Sequence, residues 1–206
     1  MQMAPSFSAL ALCPICADAS DIPSSLCHNC ISHTHQLGRP PTPLTALSIF
    51  HRHHPLRDPL HRYKDPYASD FHTSRHTLTA LLANTIPTLL SIGHTLTTVQ
   101  STKRHNHLHD IATHAGLKPL QTLTPTAANK RTATPTLFTV KEDTPTTPVV
   151  ILEDAYVTGS TAQSAAHTLE TAGIPVTKII AIGRRINPDH LPTHPAFFNT
   201  SPQVQP

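Results

Sequence analysis

The sequence predicts an α/β protein in which helices flank a parallel sheet, with a small four-cysteine module at its N-terminal end. The span 149–182 reads as a strand, a helix and a second strand, which is the unit from which parallel sheets are built. All four cysteines of the chain lie ahead of this unit in two C-x-x-C pairs. A chain of 206 residues can form one such domain around its own core without disulfides.

The first strand of this unit is the clearest in the chain. Val149 to Leu152 form an unbroken run of aliphatic residues, as expected for a central parallel strand covered on both faces. Glu153 and Asp154 follow at its carboxyl end, which is the edge at which open α/β sheets bind ligands. The two acids are therefore candidate binding residues.

The segment that follows the acids suits a phosphate. Thr158 and Ser160 supply hydroxyls that can cap a helix, and Gly159 stands between them. The first backbone N–H groups of the next helix have no internal acceptor, so an anion is stabilised there. Small apolar residues then recur at helical spacing until Gly173, and 176–182 reads as the second buried strand.

Further elements continue the α/β pattern upstream. Apolar spacing predicts a helix over 74–92 that Pro87 interrupts or kinks, and a second amphipathic helix over 105–115. Strands are predicted from His94 to Gln100 and from Phe138 to Val140. The Thr/Pro-rich span 119–136 is predicted to be a long connection without regular structure, of the kind that often serves as a functional lid.

The cysteine spacing is typical of a zinc site. Each C-x-x-C pair can supply two thiolates to one tetrahedral ion, and a closed shell of four thiolates favours a structural role over a catalytic one. Two disulfides or a redox dithiol are alternatives, and His28, His33 or His35 could replace one cysteine. The predicted metal ligands are Cys13, Cys16, Cys27 and Cys30.

The strand, acids and loop together resemble the signature of type I phosphoribosyltransferases, which bind phosphoribosyl pyrophosphate. The resemblance implies that Glu153 and Asp154 face the ribose hydroxyls, which Mg²⁺ also touches, and that 158–161 wrap the 5′-phosphate. Val157 stands where purine-salvage members carry an aspartate, which disfavours hypoxanthine–guanine salvage. The ligand-binding residues implied are Glu153, Asp154, Ala155, Tyr156, Val157, Thr158, Gly159, Ser160 and Thr161.

A four-cysteine knuckle in front of this signature is the arrangement of the ComF family, which the chain resembles over roughly residues 10–190. Tyr63-Lys64 resembles a family element in which a strand enters a short helix. The segment 98–104 resembles a strand end that contacts pyrophosphate in type I enzymes. The catalytic residues expected are Glu153 and Asp154 at the ribose, with Lys103, Arg104 and Arg131 stabilising the leaving pyrophosphate together with the cation.

These features divide the chain into a zinc-knuckle module with an N-terminal tail over 1–40, a phosphoribosyltransferase-like domain over 41–190 and a disordered Pro-rich tail over 191–206. No run of residues is long and apolar enough for a membrane span, and no secretory signal is evident. The protein is therefore expected in the cytoplasm, where thiols stay available to zinc. The sequence indicates no oligomeric state.

Three functions stay open at this point. The first is transfer of a phosphoribosyl group to an unidentified acceptor with release of pyrophosphate. The second is a non-catalytic protein that binds phosphoribosyl pyrophosphate and acts on single-stranded DNA, as the family's association with DNA uptake implies. The third is an enzyme-derived relic, since only 13% of residues are charged and the chain has 6 glycines. The excess of histidine, 17 residues, has a sufficient explanation in nucleotide composition.

Overall fold

The computed structural model describes residues 12–18, 20, 24–50, 54–99, 106–126 and 132–186. Helices and strands alternate along most of this length, as the α/β prediction requires. The elements are α1 (His28–Leu37), β1 (Leu44–Ala46), β2 (Ile49–Phe50), α2 (Arg57–Arg62), α3 (Phe71–Leu89), β3 (Thr95–Thr98), α4 (His107–His114), β4 (Leu123–Pro125), β5 (Phe138–Val140), β6 (Val149–Tyr156), α5 (Ser160–Thr171) and β7 (Val176–Arg185).

The main sheet is parallel and has β6 and β7 at its centre. Its order is β1-β7-β6-β3, and β2 also pairs with β7 beyond the end of β1. In the central pair Ile151 lies opposite Ile179 and Leu152 opposite Ile180. The predicted strand–helix–strand unit is confirmed, and its two strands are hydrogen-bonded neighbours.

Both faces of this sheet are covered, as the unbroken aliphatic run in β6 predicts. Val149 and Ile151 pack on one face with α5 and the four cysteines. Val150 and Leu152 pack on the other face with α2, α3 and α4. The alternation follows from the period of two along a strand. The α/β fold class, with a parallel sheet flanked by helices and a cysteine cluster near the N-terminus, is confirmed.

Helix α3 differs from its prediction, because Pro87 does not interrupt it. The helix continues to Leu89 with Pro87 in its last turn. A proline there removes only its own hydrogen bond to the carbonyl four residues earlier, and at the end of the helix the Leu90 N–H donates to the Ile86 carbonyl at 3.0 Å. Burial of Ile86 holds this end of the helix against the sheet.

The Thr/Pro-rich connection is also more regular than predicted. Within it, β4 pairs antiparallel with β5, and Leu123 lies opposite Val140. The strand predicted from Phe138 to Val140 is therefore confirmed, but the span 119–136 contains a strand of its own. Residues 127–131, which include Arg131, lie outside the described residues, as do Lys103, Arg104 and the tail over 191–206.

The four cysteines pack in the same hydrophobic cluster as α5 and one face of the sheet. The boundary between a module over 1–40 and a domain over 41–190 stays a prediction. Over the described part of the chain, no helix combines the length and the apolar character that crossing a membrane requires.

Candidate functional site

The candidate site lies at the carboxyl end of β6. The strand is longer than predicted, because it continues through Glu153 and Asp154 to Tyr156. Beyond it, residues 157–161, called here the site loop, lead into α5. Together they form an open pocket of about 180 Å³, lined by Glu153 and by every residue from Ala155 to Ala162. This is smaller than a typical pocket of about 300–1,000 Å³, so it suits a phosphate or sugar group better than a whole nucleotide.

Gly159 determines the shape of the site loop. Its φ of +86° lies in the left-handed region that favours glycine. A Cβ at this position would lie 2.1 Å from Cζ and Oη of Tyr156, so the backbone passes directly against that ring. On either side of the glycine, the Thr158 hydroxyl lies 3.0 Å from the Ser160 hydroxyl and accepts the Ser160 N–H at 3.3 Å. The two hydroxyls expected from the sequence therefore bond within the turn, but the N-cap of α5 is Gly159 and no side chain caps the helix.

The side chain of Tyr156, which packs against the site loop, is hydrogen-bonded by Gln163. The Gln163 amide donates to the Tyr156 hydroxyl at 3.2 Å. The same amide exchanges two hydrogen bonds of 2.8 Å with the backbone of Thr42. Burial raises the pKa of Tyr156, so its phenol stays protonated. The floor under the loop is therefore a buried, hydrogen-bonded side-chain cluster, and the apolar periodicity of α5 did not reveal it.

The two acids at the end of β6 differ in exposure, because Glu153 is half-buried and Asp154 is buried. Glu153 lines the pocket, whereas Asp154 is buried and binds residues at the end of α2. One Asp154 oxygen accepts the Tyr63 hydroxyl at 2.7 Å and pairs with the Lys64 ammonium. The other oxygen accepts the Ala155 N–H at 2.8 Å. The prediction placed both acids at one edge of the sheet, and the structure does so; a hydrogen bond with Glu153 also helps to lower the pKa of Asp154.

The charge on Asp154 depends on these partners. Burial alone would raise the pKa of Asp154, but Lys64 and the Tyr63 hydroxyl together hold it below its usual range. The Tyr63 phenol is itself fully buried, and burial beside this carboxylate raises the pKa of Tyr63. Asp154 is therefore ionised in the folded protein and Tyr63 is neutral.

We expect Tyr63→Phe to lower the free energy of unfolding by about 1.5–3 kcal/mol near pH 7, the usual contribution of a hydrogen bond to a charged group. Because folding lowers the pKa of Asp154, this stabilisation is complete above the ordinary carboxyl pKa of 3.8 and is lost as the pH falls through the folded-state value. Urea unfolding at several pH values measures both effects. The control is Tyr67→Phe, because Tyr67 is 95% exposed. Equal losses in the two variants would contradict the assignment.

The second candidate site is the cysteine cluster. All four thiols are buried, and their sulfur atoms lie within 4.8 Å of one another. The Cys16 and Cys27 sulfurs are 3.6 Å apart, close to the spacing of about 3.8 Å in a tetrahedron with metal–sulfur bonds of about 2.3 Å. None of the four forms a disulfide. The cluster is thus arranged to hold one metal ion.

The position of the cluster favours bound thiolates. Cys27 is the N-cap of α1 and Cys30 lies in its first turn, where the helix dipole stabilises negative charge. Without a cation the four thiols cannot all ionise together, because hydrogen bonds among their sulfurs lower the pKa of Cys27 but raise the pKa of Cys16 and of Cys30. A divalent cation removes that conflict, because it bonds the deprotonated thiols directly. The residues therefore fit a metal.

Two residues near the sites make contacts that sequence reasoning did not predict, and one of them, His33, was considered only as a possible replacement for a cysteine ligand. His33 on α1 is buried, and its Nε2 lies 3.5 Å from the Ser160 hydroxyl in the site loop. Arg184 in β7 is also buried and connects the cysteine module to the loop. Its signal in the sequence was a charged residue at the end of the apolar run that forms β7.

The chain is similar to adenine phosphoribosyltransferase from Saccharomyces cerevisiae, determined in complex with an imino-altritol bisphosphate and adenine. The TM-score is 0.35 and the sequences are 16% identical, over 60% of this chain and 72% of the enzyme. No family model and no curated protein matches the chain.

Proposed function

We propose that the protein binds phosphoribosyl pyrophosphate with Mg²⁺ and transfers its phosphoribosyl group to an acceptor, releasing pyrophosphate. The observation that carries this proposal is the pocket at the end of β6, which joins an acid to a small-residue loop and a helix N-terminus. Its sequence resembles the type I phosphoribosyltransferase signature, and the cysteine cluster ahead of it adds the arrangement of the ComF family.

The site loop is assigned to the 5′-phosphate. The left-handed Gly159 and the first turn of α5 bring backbone N–H groups to the pocket, and hydroxyls of Thr158, Ser160 and Thr161 lie beside them. These donors stabilise a dianion without requiring a charged side chain. An uncharged cradle is consistent with a pocket whose lining contains a single acid and no base.

Glu153 and Asp154 are assigned to the ribose hydroxyls. Glu153 already lines the pocket and can accept from them directly. For Asp154 to do so, the Lys64 ammonium has to turn away, and Lys64 is 46% exposed and can reorient toward solvent. Carboxylates with substrate phosphates are the usual ligands of Mg²⁺, which when bound would offset charge on the leaving pyrophosphate. Lys103, Arg104 and Arg131 are proposed to assist there.

Zinc is the metal we assign to the four cysteines. Four thiolates in a closed shell are typical of structural zinc sites. The cytoplasm is the compartment that such a reduced cluster favours.

The test is release of pyrophosphate from phosphoribosyl pyrophosphate and Mg²⁺ with a panel of nucleobases, amines and ammonia. We expect one acceptor to raise the rate above that with water. Glu153→Gln should lower it by about tenfold to a hundredfold, since a hydrogen bond to a charged group contributes about 1.5–3 kcal/mol. The matched control is Glu170→Gln, which alters an acid in the last turn of α5.

The same assay, combined with a titration of single-stranded DNA at several salt concentrations, decides between the transferase and the DNA-binding alternative. If no acceptor changes the rate and single-stranded DNA binds with an affinity that falls steeply with salt, the protein is a non-catalytic binding protein. We propose that Lys130 and Arg131 would carry that binding; both lie outside the described part of the chain.

A further inference from the structure

Arg184 is a charged residue in an apolar interior. It lies near the end of β7, and its side chain is 1% exposed, whereas Arg185 next to it is exposed. Burying a guanidinium is costly unless its donors are matched by acceptors. The partners of Arg184 therefore indicate what its charge is used for.

On one side Arg184 binds the chain that leads into the site loop. Its Nη1 donates to the carbonyl of Tyr156 at 3.0 Å and to the carbonyl of Val157. The guanidinium carbon also lies 5.3 Å from the centre of the Tyr156 ring. Because a peptide unit is planar and trans, fixing these two carbonyls also fixes the N–H groups of Val157 and Thr158 in the opposite direction. One side chain thus sets the orientation of two consecutive peptide planes at the entrance of the loop.

On the other side Arg184 binds the cysteine module. Its Nε donates to the carbonyl of Cys16 at 3.0 Å, and Nη2 forms an ion pair of 2.7 Å with Asp18. Nη2 also lies 3.9 Å from the Cys16 sulfur. Cys16 is a candidate metal ligand, so the position of its backbone depends on whether the cluster is filled.

We propose that Arg184 is the positioning residue of the site loop and that through it the affinity of the loop for its ligand depends on the metal-loaded cysteine module. This inference rests on the proposed function for the identity of the ligand, whereas the contacts of Arg184 with the loop and the cysteine module are independent of it. Only arginine satisfies them, because its planar fork presents donors in several directions at once, whereas lysine carries a single ammonium. When the module shifts, the guanidinium cannot keep Cys16, Asp18 and the loop carbonyls together.

The test compares Arg184→Lys and Asp18→Asn with wild type as intact, zinc-loaded proteins. Both variants should speed hydrogen exchange at the amides of 157–161 by about tenfold or more, because the loop loses a fixed orientation. Both should also weaken binding of phosphoribosyl pyrophosphate with Mg²⁺ by about tenfold, while one zinc per chain is retained. Asp18→Asn keeps every cysteine and every loop residue, so it decides the matter if Arg184→Lys does not fold.

The control is Arg39→Lys. Arg39 pairs with Glu170 near the far end of α5, about 15 Å along the helix from Ser160 at a rise of about 1.5 Å per residue. Arg39 also donates to the Thr42 hydroxyl at 3.0 Å, but Gln163 binds the Thr42 backbone and not that hydroxyl, so this variant should leave exchange in the loop unchanged. The inference would be overturned if hydrogen exchange in the loop were equal in all three variants, Arg184→Lys, Asp18→Asn and Arg39→Lys, and only global stability changed. Arg184 would then be a structural residue.

Linkage supplies a second readout that a structural role would not change. If the module and the loop are coupled, saturating phosphoribosyl pyrophosphate with Mg²⁺ should slow loss of zinc to a chelator in wild type, and this protection should vanish in Arg184→Lys. If hydrogen exchange in the loop is faster in both variants but phosphoribosyl pyrophosphate does not bind even to wild type, the positioning role is supported and the proposed function is overturned. Ligand binding in wild type without any protection of zinc would overturn the coupling.

Discussion

Removal of the zinc proposed for the four-cysteine cluster should lower the melting temperature of the protein by at least about 10–20 °C. Structural zinc sites contribute about 10–16 kcal/mol of binding free energy, comparable with the whole stability of a domain, about 5–15 kcal/mol. The effect should reach the whole fold, because the cysteines share a hydrophobic cluster with α5 and the central strands. Cys30→Ser should reproduce it, since Cys30 is completely buried in that cluster. Calorimetry with parallel metal analysis measures both changes.

The control for this prediction is His28→Ser. His28 is exposed and lies between Cys27 and Cys30 on the first turn of α1, so it reports general damage to the knuckle. It should keep one zinc and a melting temperature close to that of wild type. A full zinc complement in Cys30→Ser together with loss of zinc in His28→Ser would replace the four-cysteine site by one with a histidine ligand.

The second large effect is expected from Gly159→Ala. An alanine there takes a left-handed φ, which costs about 1–2 kcal/mol, and its Cβ meets the Tyr156 ring, which adds about 1–3 kcal/mol. The ring cannot move aside easily, because it is buried and its hydroxyl binds Gln163. The free energy of unfolding should fall by about 2–5 kcal/mol, as measured by urea unfolding.

Gly173→Ala provides the matched comparison. Gly173 has a φ of +79°, and a Cβ at this position would have no atom within 4 Å. Its substitution should therefore cost only the backbone strain, about 1–2 kcal/mol. The difference between the two variants isolates the contact with Tyr156. Equal losses would show that the loop has room for a side chain at Gly159 and would remove the argument for a tightly fixed cradle.

The sequence predicted the parts of this fold that follow from local pattern. The aliphatic run of β6, the small-residue face of α5 and the spacing of the cysteines each determine a structure without reference to distant residues. Together they predicted the parallel pair, the turn before α5 and the clustering of the four cysteines. Pro87 was weighted too strongly, because its position in the last turn of α3 removes its usual effect.

The contacts beneath the site loop could not be predicted in this way, because the alternation of side chains changes at the end of both central strands. Leu152 and Ile182 pack on the face covered by α2, α3 and α4, and so does Ala155. Tyr156 follows Ala155 but packs on the opposite face with the cysteines. Strict alternation would therefore place Tyr156 on the wrong face of the sheet.

The same change explains why Arg184 was missed. A Cβ on Gly183 would meet Phe50 and Leu60, so Gly183 faces the side of α2. Arg184 then reaches Cys16 on the other side. Ala155 pairs with Gly183 and Tyr156 with Arg184, so the alternation of side chains between the two faces changes at the same level in both strands. This shared change is visible only once the pairing of the strands is known.

The most direct test of the account is a calorimetric titration of phosphoribosyl pyrophosphate into the zinc-loaded protein with and without Mg²⁺. The pocket at the end of β6 predicts saturable one-to-one binding that is stronger with Mg²⁺ and weakened at least about a hundredfold in Gly159→Ala, because the new Cβ collides with the Tyr156 ring and displaces the loop backbone that is proposed to bind the phosphate. Gly173→Ala should bind as wild type does. Absence of binding at millimolar ligand, or equal binding by wild type and Gly159→Ala, would contradict the assignment of this loop as a phosphoribosyl pyrophosphate site.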